Sequence, residues 1–173
     1  KVMFIAISPI MMLGFLGHQF IKERLFSVQT VIIGLIVGGV VMLLLELMPS
    51  KQSDKQLTNA LDDISYKQAF WVGVAQCAAL WPGTSRSGST IVGGVLAGLT
   101  YELAAKFSFI IAVPVMLVAI VYDLLQSFQD LSVTMLGNIV WGMLFSFIVA
   151  LVAMMTFVRL IAKYRLLPFA IYR

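Results

Sequence analysis

The chain has one cysteine and one histidine in 173 residues. A single cysteine excludes an internal disulfide, and Cys77, set in an apolar run, reads as a small packing residue. His18 stands next to a polar stretch with Lys22, Glu23 and Arg24 and reads as solvated. Charge is also scarce. Only 12% of residues are charged, against about 25% in soluble domains. The formal net charge of +4 is small and dispersed, which argues against nucleic acid as a partner. Apolar residues make up the rest, with 61% hydrophobic residues and a mean hydropathy of +1.00. These values describe an integral membrane protein whose ten methionines fill membrane helices rather than hold a metal.

Uncharged or nearly uncharged runs predict transmembrane helices over about 2–17, 28–48, 103–122 and 133–158, in one membrane domain covering 1–173. The second carries Gly34 and Gly38, a small-residue face suited to close helix packing. Glu46, in its last turn, is expected to reach the interface. Asp62 and Asp63 adjoin, but no partner at helical spacing makes them a metal site. Glu102 and Lys106, four apart, are expected to pair. The chain opens on Lys1 without a recognisable signal peptide and closes on Phe169–Arg173 as if approaching another segment. The expectation is a fragment at both ends.

The segment 67–99 differs from the spans. Lys67–Trp81 is a helical run of about 22 Å at 1.5 Å per residue, and Thr90–Leu99 is shorter still. Neither matches a hydrocarbon core about 30 Å thick. Two half-length helices around a polar loop predict a re-entrant hairpin. Positive charge agrees with that topology: Lys1, Lys51, Lys55, Lys67, Lys106, Arg159, Lys163, Arg165 and Arg173 then share one side, with only Lys22 and Arg24 opposite.

The loop itself, Leu80–Thr90, concentrates glycines, hydroxyls and one arginine inside apolar sequence. Arg86 at membrane depth costs roughly 2.5–3.5 kcal/mol unless it is compensated. Pro82 stops the incoming helix, while Gly83 and Gly88 allow a sharp turn and close approach of a ligand. A helix starting near Ser89 would aim backbone N–H groups at an anion. Thr84, Ser85, Ser87 and Ser89 add hydroxyls, and Arg86 adds a forked cation that fits phosphate. The segment reads as a phosphate-binding loop at the tip of a broken helix, against the plainer reading of an exposed polar turn. Familiar phosphate motifs do not apply. No Gly-x-x-x-x-Gly-Lys-Ser/Thr run exists, Cys77 lies nine residues before Arg86, and no histidine follows Ser85-Arg86.

The run Pro82-Gly83-Thr84-Ser85-Arg86-Ser87-Gly88 resembles the signature of bacterial undecaprenyl-diphosphatases, the bacitracin-resistance proteins. Its flanks agree: Gln76-Cys77 before it, Ala104–Phe109 and Ala112–Met116 after it. The resemblance implies an all-α polytopic bundle with inverted repeats, each holding a re-entrant hairpin, in the bacterial cytoplasmic (inner) membrane. It implies hydrolysis of undecaprenyl diphosphate to undecaprenyl phosphate and inorganic phosphate in recycling of the peptidoglycan lipid carrier. A divalent cation, Mg2+ or Ca2+, is implied as cofactor, and a homodimer is left open. The family's first repeat, with a glutamate-rich motif and a serine-and-histidine loop, has no match here, so metal ligands are expected outside this chain. On this resemblance Arg86, Ser85, Thr84 and Ser87 are the catalytic candidates. Gly83, Gly88 and Ser89 complete substrate binding, and Phe107, Phe109 and Met116 would face the prenyl tail. Ser85 as a nucleophile is a minor alternative. The rival function is a transporter or flippase of a polyprenyl phosphate lipid, since broken helices near the midplane also mark transporters.

Overall fold

A computed structural model of the chain describes residues 1–25, 27–48, 57–127 and 133–173. Seven α-helices follow in order: α1 (Val2–Arg24), α2 (Val28–Leu47), α3 (Tyr66–Gln76), α4 (Arg86–Leu96), α5 (Tyr101–Ser127), α6 (Val133–Tyr164) and α7 (Leu167–Tyr172). No strand occurs among the described residues. The nearest feature is a single bridge between Thr58 and Leu99. Helices α2, α5 and α6 contain stretches long and apolar enough to cross a membrane: Val28–Leu47, Tyr101–Leu125 and Gly137–Tyr164. The protein is therefore an all-α, multi-pass membrane protein. From Ile139 to Met155 the large apolar side chains of α6 are exposed, as expected of a surface meant for lipid or other protein.

Several helices outrun their predicted spans. Helix α1 continues from Gly17 to Arg24 through the expected polar connection, and α6 continues from Val158 to Tyr164. The reason is physical: lysine, glutamate and arginine are good helix formers, so a helix need not stop where its sequence ceases to suit hydrocarbon. The side chain of His18 and the residues Lys51, Asp54 and Lys55 lie outside the description.

The hairpin forms as an antiparallel pair. Ser65 caps α3 through a capping box with Gln68, each side chain bonding the other's backbone N–H. The incoming arm then tightens into a 3-10 turn over Cys77–Leu80 before the loop. Helix α4 returns to the starting end, where Gln68 Nε2 donates to Ala97 O (3.2 Å) and Thr58 Oγ1 (3.0 Å). Thr58 exchanges backbone bonds with Gly98 and Thr100 at the same place. Each arm has 11 residues, about 16 Å at 1.5 Å per residue, or half a hydrocarbon core. Ala69, Val72, Ile91 and Val95 from the two arms, with Ala6 of α1 and Leu103, Ala104, Phe107 and Ile111 of α5, make the buried core. The best-buried part of the molecule thus surrounds the hairpin, while α2, α5 and α6 expose their outer faces.

Candidate anion site at the hairpin tip

Helix α4 begins at Arg86, three residues earlier than expected, because Ser85 caps it: Ser85 Oγ accepts from Gly88 N–H at 3.2 Å. Ser85 holds this position with φ +65°, a backbone region that side chains adopt at a cost; among the described non-glycine residues only Arg165, at φ +54°, shares it. Gly83 is also left-handed, at φ +94°. The sharp turn expected of the glycines is therefore made at Gly83. Gly88 is helical, and its role is space: a Cβ there would stand 2.1 Å from Met42 Cε.

The tip is packed rather than an open turn. Trp81 Nε1–H donates to Thr30 O of α2 at 2.9 Å. The chain then runs across Gly34 and Gly38, so closely that a Cβ on Gly34 would lie 2.3 Å from Pro82 O. A Cβ on Gly38 would lie 3.0 Å from Thr84 O. The small-residue face of α2, expected to receive a helix, receives non-helical backbone.

The hydroxyls divide. Thr84 Oγ1 lies 2.7 Å from Ala78 O and 2.8 Å from Trp81 O, and its hydrogen closes the turn. Ser89 Oγ donates to Ser85 O at 2.9 Å within the first turn of α4. These two predicted anion ligands are thus occupied by backbone carbonyls, a competition natural to hydroxyl residues near a helix start. Ser85 and Ser87, 3.5 Å apart at their oxygens, line a cavity of about 470 Å³. Gly88 joins them, with Leu35 and Met42 of α2, Ile91 of α4, and Phe157, Phe169 and Tyr172 as apolar walls.

Arg86 is half-buried and points elsewhere: Nη2 donates to Ala112 O of α5 at 3.0 Å, two residues before Pro114. It commits one of five donors there and is not among the cavity-lining residues. The cation that lines the cavity is Arg173, at the end of α7. Its Nη1 donates to Thr84 O at 2.9 Å and its Nη2 to Gly83 O. The charge pattern grouped Arg173 with Lys67 and Lys106 on the side of the hairpin's ends; the structure sets its guanidinium against the hairpin tip instead, at the far end of the arms from Gln68 and Thr58.

Glu46, in the last turn of α2, is structural: Oε1 accepts from Leu166 N–H at 2.8 Å, and Oε2 lies 3.9 Å from Arg165 Nη1. It ties α2 to the start of α7. Gln76, quoted above only as a flank, is fully buried, and neither amide atom has a hydrogen-bond partner among the described residues. The pairing of Glu102 with Lys106 is present at 2.6 Å.

The residues expected to face a prenyl tail are not in this wall. Phe107 is core, Met116 is exposed, and Phe109 stacks edge-on with Phe157 at 5.6 Å. A divalent cation is not fitted by what is here. No carboxylate lines the cavity, and no group of three His, Cys, Asp or Glu residues gathers among the described residues. Hard cations take oxygen ligands rich in carboxylate, whereas hydroxyls, arginine and a helix N-terminus suit an anion.

Comparison with known proteins agrees with the signature. The family model described as bacitracin resistance protein BacA matches residues 1–173. A protein of Bacillus subtilis (strain 168) named undecaprenyl-diphosphatase is 47% identical over 169 residues, 98% of this chain and 60% of the relative. A Staphylococcus aureus (strain MW2) protein of the same name is 46% identical, over 98% of this chain and 57% of the relative. One from Anoxybacillus flavithermus is 45% identical, over 98% and 61%. The chain thus spans about three-fifths of the length of these curated relatives.

Proposed function

The chain belongs to the bacitracin resistance protein BacA family, and from that premise we propose that it carries the anion-binding half of an undecaprenyl-diphosphate phosphatase. The reaction is hydrolysis. Water adds to the terminal phosphorus, the bridging P–O bond breaks toward the lipid, and undecaprenyl phosphate and inorganic phosphate leave. The observation that carries the reading is the start of α4: Ser85, Ser87 and Gly88 open into one cavity beside Arg173, with apolar walls around them.

In this proposal the N–H groups of Arg86 and Ser87, which the Ser85 cap does not use, and the hydroxyls of Ser85 and Ser87 hold phosphate oxygens. Arg86, at the first position of α4, bonds Ala112 O and does not line the cavity; in this proposal its side chain turns toward Ser85 and Ser87 when the anion binds, and its fork then offsets charge as the bridging bond breaks. The hairpin re-enters the membrane, with both ends on the cytoplasmic side of the inner membrane. The first isoprene units lie against Leu35, Ile91 and Phe157 rather than against Phe107 or Met116. A divalent cation, Mg2+ or Ca2+, would draw its ligands from residues outside this chain.

The test is phosphate release by purified full-length protein from undecaprenyl diphosphate in detergent, with Ser85→Ala and Ser87→Ala as companions. We expect release by the wild type and a loss of tenfold or more in at least one variant. Absence of release, with lipid movement across vesicles retained, would favour a transporter.

A further inference from the structure

We propose that Arg173 is a positioning residue: its guanidinium clamps the two carbonyls that precede Ser85 and so holds the signature loop in its anion-binding shape. The inference rests on the phosphatase reading above for its kinetic arm only.

The geometry is specific. Two nitrogens of one planar fork reach two successive carbonyls, Nη1 to Thr84 O at 2.9 Å and Nη2 to Gly83 O. A fixed fork suits paired acceptors in a way that a point charge does not. The clamped carbonyls belong to the stretch with the least regular backbone, Gly83 at φ +94° and Ser85 at φ +65°. Left-handed conformations in L residues persist only where the surroundings impose them. On one side Ser85 is held by its own side chain, which accepts from Gly88 N–H. On the other side, the peptide joining Thr84 to Ser85 is fixed by Arg173. Because that peptide is trans, holding its carbonyl also fixes the opposite direction of the Ser85 N–H.

The rest of the molecule is built to deliver this guanidinium. Glu46 anchors the start of α7 through Leu166 N–H, and Phe169 packs on Phe157 with ring centroids 4.9 Å apart. A Cβ at Gly39 would already touch Ala170 O at 3.5 Å, and Gly38 leaves the space the fork needs: a Cβ there would lie 2.6 Å from Nη1. A direct phosphate ligand would not need both terminal nitrogens turned onto the loop's own carbonyls.

The experiment uses full-length protein in detergent. Backbone hydrogen exchange of the peptide covering Pro82–Thr90 is measured without substrate, and kcat and KM are measured with a short-chain prenyl diphosphate. For Arg173→Gln we expect loop exchange at least tenfold faster. We expect kcat to fall thirtyfold or more, with KM changed less than threefold, because a cradle misplaced by an ångström slows turnover about a hundredfold. Arg173→Lys, which keeps one bond, should fall between. If Arg173→Gln does not accumulate, Arg173→Lys alone carries the test, with loop exchange at least threefold faster and kcat reduced at nearly constant KM. Exchange at the wild-type rate in these variants overturns the clamp, whatever activity does; a large rise in KM beside it would make Arg173 a phosphate ligand. Faster exchange with unchanged kcat also overturns the proposal. If the wild type releases no phosphate, the phosphatase reading fails, while the exchange arm still decides the clamp.

Discussion

Gly83 and Gly88 bracket the same loop, and the structure gives them different reasons for being glycine. Gly83 sits at φ +94°, and an added Cβ would come within 2.3 Å of Val31 O. That atom is backbone, fixed in α2, so it cannot move aside cheaply. A non-glycine residue in this backbone region costs about 1–3 kcal/mol in strain. At 1.36 kcal/mol per factor of ten, about 2 kcal/mol acting against the seated loop lowers turnover about thirtyfold. Gly88 is helical, and its Cβ would meet Met42 Cε at 2.1 Å, the far end of a flexible side chain. Much of that clash can relax by methionine rotation. We therefore expect Gly83→Ala to lose thirtyfold or more in activity per folded molecule. Gly88→Ala should lose less than tenfold and be partly restored by Met42→Ala. The assay is phosphate release by purified full-length variants, normalised to monodisperse protein by size-exclusion chromatography. Gly83→Ala retaining more than half of wild-type activity would refute the argument, because the left-handed turn would then be dispensable.

Three further outcomes follow from the same geometry. Arg86→Lys should lose at least tenfold in kcat, because an ammonium turned from Ala112 O presents no fork to the anion; turnover within twofold of wild type would show that a point charge suffices. Thr84→Ser should be near wild type and Thr84→Val should lose about tenfold in activity with KM little changed, since the hydroxyl bonds Ala78 O and Trp81 O rather than ligand, a contribution of about 0.5–1.5 kcal/mol. Single cysteines replacing the exposed Lys67 and Lys106, in a Cys77→Ala background, should label from the same side of the membrane; opposite sides would exclude re-entry.

Much of the architecture was legible because it follows from composition and length. Apolar runs of twenty residues can only be spans or core, and two half-length arms around Pro82-Gly83 can hardly be anything but a hairpin. The Glu102–Lys106 pair follows from helical spacing, and Gly83 from the demand for a sharp turn. What the sequence hid are choices between equal partners. Four hydroxyls sit within six residues, and nothing local says that Thr84 and Ser89 bond carbonyls while Ser85 and Ser87 face the cavity. The bond from Arg173 to Thr84 crosses 89 residues, and that from Leu166 to Glu46 crosses 120. Contacts of that range leave no periodic trace in one sequence.

The small-residue face of α2 carries the last step. In a membrane, non-helical backbone must have its polar groups satisfied by protein. A loop can meet that demand only if another element comes near enough to donate to its carbonyls. Side chains on α2 would hold the loop off; Gly34 and Gly38 let Pro82, Gly83 and Thr84 lie against the helix and leave a path for the Arg173 fork. Packing and hydrogen bonding are therefore one requirement at this place. It follows that Gly34→Ala, read from sequence as a change in helix packing alone, should behave as a loop mutation. Its Cβ would strike Pro82 O at 2.3 Å, a backbone atom that cannot rotate away, and lift the turn from its seat. Activity per folded molecule should fall at least tenfold, with hydrogen exchange in Pro82–Thr90 accelerated. A variant that loses thermal stability yet keeps full specific activity would return Gly34 to an ordinary packing role.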